Sequence, residues 1–405
     1  MPSTWPFRSP VEGDAVLIAA QSGRALAAAA RRAGLRPYVV DLFGDSDTRA
    51  LASGYRRAEG RFGEGIGSGH IFSILDDLAR EAGAPLGVIL GSGFEAAPDR
   101  IAAISARYPI LGCSAATVRA VKDPARFSVL LGRLGIPHPP IRFETPPDPE
   151  NWIVKRAGGS GGGHIRLASK ARPGRSSYFQ RRVGGTPHSF AFLANGHDVA
   201  ILATTRQWAS PSRQAPFRYG GAVEPGTIAP GVASAATEAL RALVAATGLR
   251  GLASADCLVE GDSWWLLEIN PRPGATLDIL DRRATPLLQA HIEACLGRLP
   301  TLTPPPDAAA SEILYAPRSI PVVPSLDWPD YALDRPEAGS AVPGGAPFCT
   351  VLSEGATAAE ALLRLEARSS RIRAACFREG IHHATASRTS ERQRSRRTVG
   401  GGAGC

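Results

Sequence analysis

Two features of the sequence predict a doubly wound α/β domain at the head of a larger α+β body. The first is a β-α-β unit. Residues 14–20 read as a buried strand, the alanine-rich 24–33 as a helix stopped by Gly34, and 37–42 as a second strand. The second is continued alternation, with a helix over 70–82, a strand over 86–91 and a helix over 98–107. A third observation marks where this pattern ends. Beyond residue 120 the apolar runs become short, paired and separated by Asn-Gly or Gly-Asp turns, as in antiparallel hairpins.

The remaining elements follow in order. Residues 123–134 predict a helix, stopped by Gly135 and led out by Pro137, Pro139 and Pro140. Strands are expected at 152–155 and 164–168 around a glycine-rich run, then at 177–183, 188–194 and 197–205. Residues 206–224 read as loop-rich, and 231–247 as a helix. Strands at 252–259 and 263–269 join through Glu260-Gly261-Asp262, and a helix follows at 284–296. The Pro/Ala-rich 300–310 reads as a linker to a small α+β appendage with strands at 312–316 and 348–352 and a closing helix at 357–368. The Arg/Ser/Gly-rich end is expected to be disordered. The expected domains are therefore 1–120, 121–300, 301–376 and a basic tail at 377–405.

Charge is unevenly placed. The 405 residues carry 46 Lys+Arg against 37 Asp+Glu, net +9, yet 368–405 alone holds nine arginines and two acids. The basic balance therefore belongs to the tail, whose arginines lack interleaved aromatics, and predicts no specific nucleic-acid binding. No apolar run is long enough for a membrane span, and the N-terminus shows no signal-peptide pattern, so the expected compartment is the cytoplasm. Six dispersed cysteines without a C-x-x-C pair read as reduced thiols. Only three of the 46 basic residues are lysines: 122, 155 and 170. Where arginine serves almost everywhere, a lysine marks a place for a compact ammonium.

Two constellations carry chemistry. Lys155 is followed by a run, 158–163, of glycines with Ser160, which lets backbone N–H groups approach an anion. The lysine precedes the glycines, so this is not a Walker loop, and the first turn at Gln21-Ser22-Gly23 lacks G-x-G-x-x-G, which argues against a dinucleotide site. The second constellation is Asp256, Glu268 and Asn270. Glu268 and Asn270 are two apart on one strand and share a face, Asp256 lies on the preceding strand, and three hard oxygen donors suit Mg²⁺. Cys257 points the other way, and Arg272, held between prolines, is suited to clamping a phosphoryl or carboxylate group.

Together these motifs resemble the ATP-grasp superfamily, in the branch of carboligases related to biotin carboxylase, over residues 11–368. Gly135-Ile136-Pro137-His138-Pro139 resembles the G-I-P-x-P before the ATP domain, and Lys155 with the glycine run resembles the phosphate loop. Phe179-Gln180-Arg181-Arg182-Val183 resembles the adenine-reading hinge, with Gln180 where the family usually has Glu. Asp256 and then Leu267-Glu268-Ile269-Asn270-Pro271-Arg272 resemble the family's acid and E-x-N-P-R. The resemblance implies ATP binding by Lys155, Gly159, Ser160, Gly161, Gly162, Gln180 and the backbones of Arg181 and Val183. It further implies Mg²⁺ (or Mn²⁺) on Asp256, Glu268 and Asn270, and a catalytic Arg272. The family's first nucleotide lysine falls at Pro124; Lys122 and Arg126 flank it, and the scarcity of lysine favours Lys122. Arg218 is a further candidate for an anionic substrate, and His164 reads as structural.

The implied activity is a ligase that turns a small-molecule carboxylate into an acyl phosphate for attack by an amine or similar nucleophile, in a protein that can form a homodimer. Rival readings are a bicarbonate-activating carboligase, although the chain has no A-M-K-M biotin-attachment motif, and a non-catalytic nucleotide-binding regulator that uses the basic tail.

Overall fold

The computed structural model describes residues 8–377 except 68 and 172; the predicted basic tail lies outside the described residues apart from Phe377. The N-terminal region alternates strands and helices: β1 (Ala15–Ala19), α1 (Arg24–Arg32), β2 (Arg36–Asp41), α2 (Ser46–Leu51) and β3 (Gly54–Arg57). A two-residue ribbon follows, β4 (Gly60–Arg61) with β5 (Gly65–Ile66), then α3 (Ile71–Ala82), β6 (Val88–Leu90) and α4 (Pro98–Ser105). The four longer strands are parallel in the order β3-β2-β1-β6. The chain changes direction across the sheet between β1 and β6, and the loops leaving those strands form the crevice where such sheets bind ligands.

Two helices lead out of this region, α5 (Ala115–Lys122) and α6 (Pro124–Arg133). The Asp123 carboxylate accepts the N–H groups of Ala125 at 3.0 Å and Arg126 at 3.1 Å, and Pro124 occupies the first turn, so a new helix begins two residues after Lys122. A small antiparallel sheet is built from β7 (Ile141–Arg142), β8 (Trp152–Arg156), β9 (Arg166–Leu167) and β10 (Ser177–Arg181), ordered β7-β10-β8-β9. It has its own core of Trp152, Val154, Ala168 and Phe179. Only two residues of the expected strand 164–168 pair, because the chain turns into a 3₁₀ helix at Ala168–Lys170.

The large sheet takes the rest: β11 (Thr186–Asn195), β12 (Val199–Ala209), β13 (Tyr219–Glu224), helix α7 (Pro230–Thr247), β14 (Arg250–Glu260) and β15 (Ser263–Asn270). Short helix α8 (Leu277–Leu280) and α9 (Leu287–Cys295) precede β16 (Ala308–Tyr315), β17 (Ala332–Leu333), β18 (Pro347–Gly355) and α10 (Ala358–Phe377). The strand order is β15-β14-β11-β12-β13-β16-β18-β17.

Four expectations need correction. The expected appendage has no sheet of its own, since β16 pairs with β13 and continues the large sheet. Residues 308–310 of the expected linker are buried strand. The run 206–224 is mostly strand, with Gly221 so close under Trp208 that a Cβ there would lie 2.5 Å from the indole. The closing helix extends to Phe377, whose ring meets Phe348 edge-on at 5.0 Å. Among the described residues no helix is long and apolar enough to cross a membrane.

One buried arginine ties distant parts together. Arg24, 3% exposed, meets Asp278 with both terminal nitrogens, and its Nε and Nη2 each reach Asp334 at 3.1 Å. Asp334 also accepts from Ser22 at 3.2 Å and Thr350 at 2.6 Å. Burial works to raise the Asp334 carboxyl, and the Arg24 charge outweighs it, so the group lies below its usual range. Removing one partner of a buried pair strands the other charge, at about 3–5 kcal/mol. Arg24→Met should therefore lower the urea-unfolding free energy by about that amount. A loss under about 1 kcal/mol would show that Arg24 does not hold the fold together.

Candidate active site

The register of β14 against β15 sets Asp256 opposite Glu268 and Ser254 opposite Asn270. Alternation then puts the two carboxylates and the amide on one face, while Cys257, 1% exposed, turns into the core, where burial pushes its thiol up to about 12. The amide is oriented by its partners. Asn270 Nδ2 donates to Asp256 at 3.0 Å, and its Oδ1 accepts from the Lys122 ammonium at 3.1 Å. Lys122 ends α5 and also forms an ion pair with Glu268. Lys155, on β8, is 4% exposed and donates to Gln180 Oε1 at 3.2 Å on the neighbouring strand.

The electrostatics of this group are tightly balanced. Burial works to raise Glu268, but Lys122 and Lys155 outweigh it and hold the carboxyl at about 2. Asp256 is raised, first by burial and then by the like charge of Glu268. Burial lowers the Lys155 ammonium, and Glu268 and Asp256 oppose that shift. Glu268 keeps 23% of its side chain exposed, so the cluster opens towards a ligand at that point.

Arg272 sits beside this group under the control of Glu95. Its Nε donates to Glu95 Oε1 at 2.8 Å, while the N–H groups of Gly93 and Phe94 donate to Oε2 at 2.6 and 3.0 Å. Burial works to raise Glu95, and Arg272 with Lys122 outweighs it, leaving the carboxyl below its usual range. Sequence reasoning missed Glu95, which lies 177 residues from its partner. The available signal was Gly91-Ser92-Gly93 directly after a strand of the doubly wound sheet, at its ligand-binding crevice.

The glycine run lies between two walls. Gly158 has φ 68° and would bring a Cβ within 2.5 Å of Ala96 Cα; Gly162 has φ 69° and would bring one within 2.0 Å of the Phe217 carbonyl. Only glycine fits either place. The Tyr219 N–H holds Gly161 O at 2.9 Å, so the loop is pinned to β13. The His164 ring lies against Gly159; burial pulls it down to about 4, which makes it a neutral imidazole, and its Nδ1 is buried with no hydrogen-bond partner. At the hinge, the Arg181 N–H is taken by Pro140 O at 2.9 Å, while the Val183 N–H keeps no partner among the described residues.

Two candidates stand apart. Arg126 is exposed, 3.8 Å from Asp123, so of the two residues flanking Pro124 only Lys122 reaches the cluster. Arg218 donates to Ser210 O at 3.0 Å and Gly345 O at 3.1 Å and lies 3.5 Å over the Tyr315 ring, a strap between loops. A cleft of about 670 Å³ also lies elsewhere, between α8, β18 and Trp328.

Residues 122–276 match the ATP-grasp domain family. No curated protein matches the chain in sequence. Among solved structures, the chain is similar to the biotin carboxylase domain of 2-oxoglutarate carboxylase from Hydrogenobacter thermophilus, with TM-score 0.68 and 12% identity over 89% of this chain and 90% of that one. It is similar to an L-amino acid ligase from Bacillus licheniformis, with TM-score 0.64 and 14% identity over 89% of this chain and 98% of that one. Phosphoribosylglycinamide synthetase from Anaerococcus prevotii gives TM-score 0.63 and 10% identity over 89% and 98%.

The depressed Glu268 makes stability depend on pH. A carboxyl lowered from 4.5 to about 2 stabilises the fold fully above the higher value and loses that contribution as pH falls through the window. The gap in unfolding free energy between wild type and Glu268→Gln should be constant above about pH 5 and shrink by about 3–4 kcal/mol on acidification, at roughly 1.4 kcal/mol per unit. A gap that stays flat in pH-resolved denaturation would refute lysine control of this carboxylate.

Proposed function

This chain belongs to the ATP-grasp superfamily, and from that premise we propose that it is a Mg²⁺-dependent ligase. It would convert a small-molecule carboxylate to an acyl phosphate with ATP and pass the acyl group to an amine or similar nucleophile. The observation that carries this reading is the linked group Lys122–Glu268 and Lys122–Asn270–Asp256, with Lys155 and Arg272 at its edges. It sets fixed cations beside fixed oxygen donors in a partly covered site.

Phosphoryl transfer asks the protein mainly for position and charge compensation. Lys155 would hold the phosphates with the N–H groups of Ser160, Gly161 and Gly162, whereas the Gly159 N–H donates to Arg156 O at 3.1 Å. Gln180 supports this role, because an amide accepts from Lys155 without cancelling its charge. The Val183 N–H and the Arg181 carbonyl would read the adenine edge. Among the described residues no three His, Cys, Asp or Glu side chains converge as a metal centre. The oxygen-only set of Asp256, Glu268 and Asn270 instead fits Mg²⁺, which shares its sphere with phosphates. When bound, that ion would neutralise phosphate charge.

In the first step a substrate carboxylate oxygen bonds the γ-phosphorus and the bond to the ADP oxygen breaks. In the second, the nucleophile bonds the acyl carbon, loses a proton, and inorganic phosphate leaves. Arg272, aimed by Glu95, would bind the carboxylate and then the acyl phosphate through its guanidinium fork. The neighbours include a carboxylase domain, a synthetase and an amino acid ligase, so the nucleophile is proposed only as a class.

Calorimetric titration of the purified chain with ATP tests the reading. Binding should strengthen with Mg²⁺ and weaken by at least about tenfold in Lys155→Ala, the loss of one charge-assisted contact. Glu268→Ala should abolish ATP consumption in a screen of carboxylate and amine pairs. Absence of ATP binding, or near-normal turnover in Glu268→Ala, would sink the assignment.

A further inference from the structure

We propose that Gln21 is a specificity-determining donor for the carboxylate substrate, and that this substrate carries a second oxygen acceptor, a carbonyl or another carboxylate, along its chain. The crevice of the parallel sheet reads two points of one molecule: the reacting carboxylate at Arg272 and the second acceptor at Gln21. The inference rests on the ATP-grasp reading above and narrows its substrate class.

The turn after β1 offers a ligand one group and no more. Asp41, at the end of β2, is fully engaged: it accepts the N–H groups of Gly23 at 2.9 Å and Gly44 at 3.0 Å and the Tyr55 hydroxyl at 2.9 Å. Gln21 is held as firmly but has a donor left over. Its N–H donates to Ser92 O at 2.8 Å and its carbonyl accepts from the Leu42 N–H at 3.1 Å, so the residue is pinned between the loops that leave β6 and β2. It is 2% exposed. Its Oε1 accepts the Gly63 N–H at 2.9 Å, which orients the amide, since turning it over would set N–H against N–H. Nε2 then donates to nothing among the described residues. A nearly buried amide donor without a protein acceptor is costly to keep, and an oxygen brought by a ligand satisfies it.

One glycine sets this donor and Arg272 together. Gly93 has φ 110°, and a Cβ there would lie 2.8 Å from Gln21 Cγ and 3.2 Å from Nε2, so only glycine lets the loop pass the amide. The Gly93 N–H donates to Glu95 Oε2 at 2.6 Å, and Glu95 Oε1 accepts from Arg272 Nε at 2.8 Å. Arg272 spends Nη1 on Pro273 O and leaves Nη2 without a partner among the described residues. A cationic donor and a neutral one are thus joined through Gly93 and Glu95, at the ends of β1 and β6 where such sheets bind ligands. The β4–β5 ribbon covers the neutral donor: besides the Gly63 contact, its Ile66 N–H donates to Gly93 O at 3.4 Å. Gly63 O accepts from Arg156, on the strand that carries Lys155. The guanidinium fork suits the reacting carboxylate. The amide N–H takes a lone pair of either charge state, which an alkyl or ammonium group does not offer.

Hydroxamate formation tests the proposal, with hydroxylamine as the nucleophile: its nitrogen bonds the acyl carbon and loses a proton, and inorganic phosphate leaves. The full chain is given ATP, Mg²⁺, hydroxylamine and short straight-chain monocarboxylates, each compared with the analogue of equal length that ends in a carboxamide or a second carboxylate. Wild type should favour the acceptor-bearing acid in kcat/KM by at least about tenfold at one chain length. Gln21→Met, which keeps the length and removes the donor, should abolish that preference. Gln21→Glu, which keeps the oxygen that holds Gly63 and replaces only the donor, should abolish it too and covers the case in which the Met variant does not fold. The proposal is overturned by a wild type without the preference, by a wild type that binds ATP and forms no hydroxamate from any pair, or by an unchanged preference in a variant that binds ATP. A wild type that binds no ATP overturns the ligase reading itself, a separate result.

Discussion

The site depends on one charge balance: two buried lysines against two carboxylates that face each other across a hairpin. Asp256 and Glu268 are directly opposite, and like charges at that spacing destabilise a sheet unless compensated. Lys122 and Lys155 supply the compensation, and they do so unequally. Glu268 lies between both ammonium groups and is held at about 2, whereas Asp256, without an ion pair of its own, is raised. Asn270 links Lys122 to Asp256, its oxygen accepting from the ammonium and its nitrogen donating to the carboxylate. The pattern leaves one firmly ionised carboxylate at the open edge of the cluster, where a cationic ligand would meet it.

The four charges come from three parts of the fold. The carboxylates lie on the large sheet, Lys155 on the small sheet and Lys122 on the helix leaving the N-terminal region. Glu95 adds the crevice of the parallel sheet, through Arg272. None of these parts has a balanced charge set alone, so the geometry exists only when all are docked. Arg24 contributes to that docking by joining α1 to Asp278 and Asp334. The arginine straps hold the parts together from outside the cluster, and the lysines neutralise it from within.

What the sequence could reveal follows the range of the interaction concerned. The pairing of Asp256 with Glu268 was legible because a tight Glu260-Gly261-Asp262 turn and strict alternation fix it locally. The glycine run was legible because left-handed backbone and close approach leave no other residue at Gly158 or Gly162. Glu95 was not, since its meaning comes from Arg272, far along the chain. The strands at 206–209 and 219–224 were hidden by Gly, Pro and Ser that composition assigns to loops, although Gly221 is there to let Trp208 lie flat over the strand. Residues 308–310 were hidden by the prolines before them; pairing with β13, a tertiary event, makes them a strand. The separate α5 was also unforeseen, and with it the direction from which Lys122 arrives.

That direction matters to how the site can vary. A lysine projecting from α6 would start beyond the Asp123 cap, on the exposed side where Arg126 now lies. Ending α5 with the lysine and starting α6 with proline moves the charge inward by a single turn boundary. The amide of Asn270 then has a fixed partner on each side, and Glu268 has an ion-pair partner. A local change in helix punctuation thus decides whether a positive charge reaches the carboxylate face, while the sheet register that creates that face stays the same.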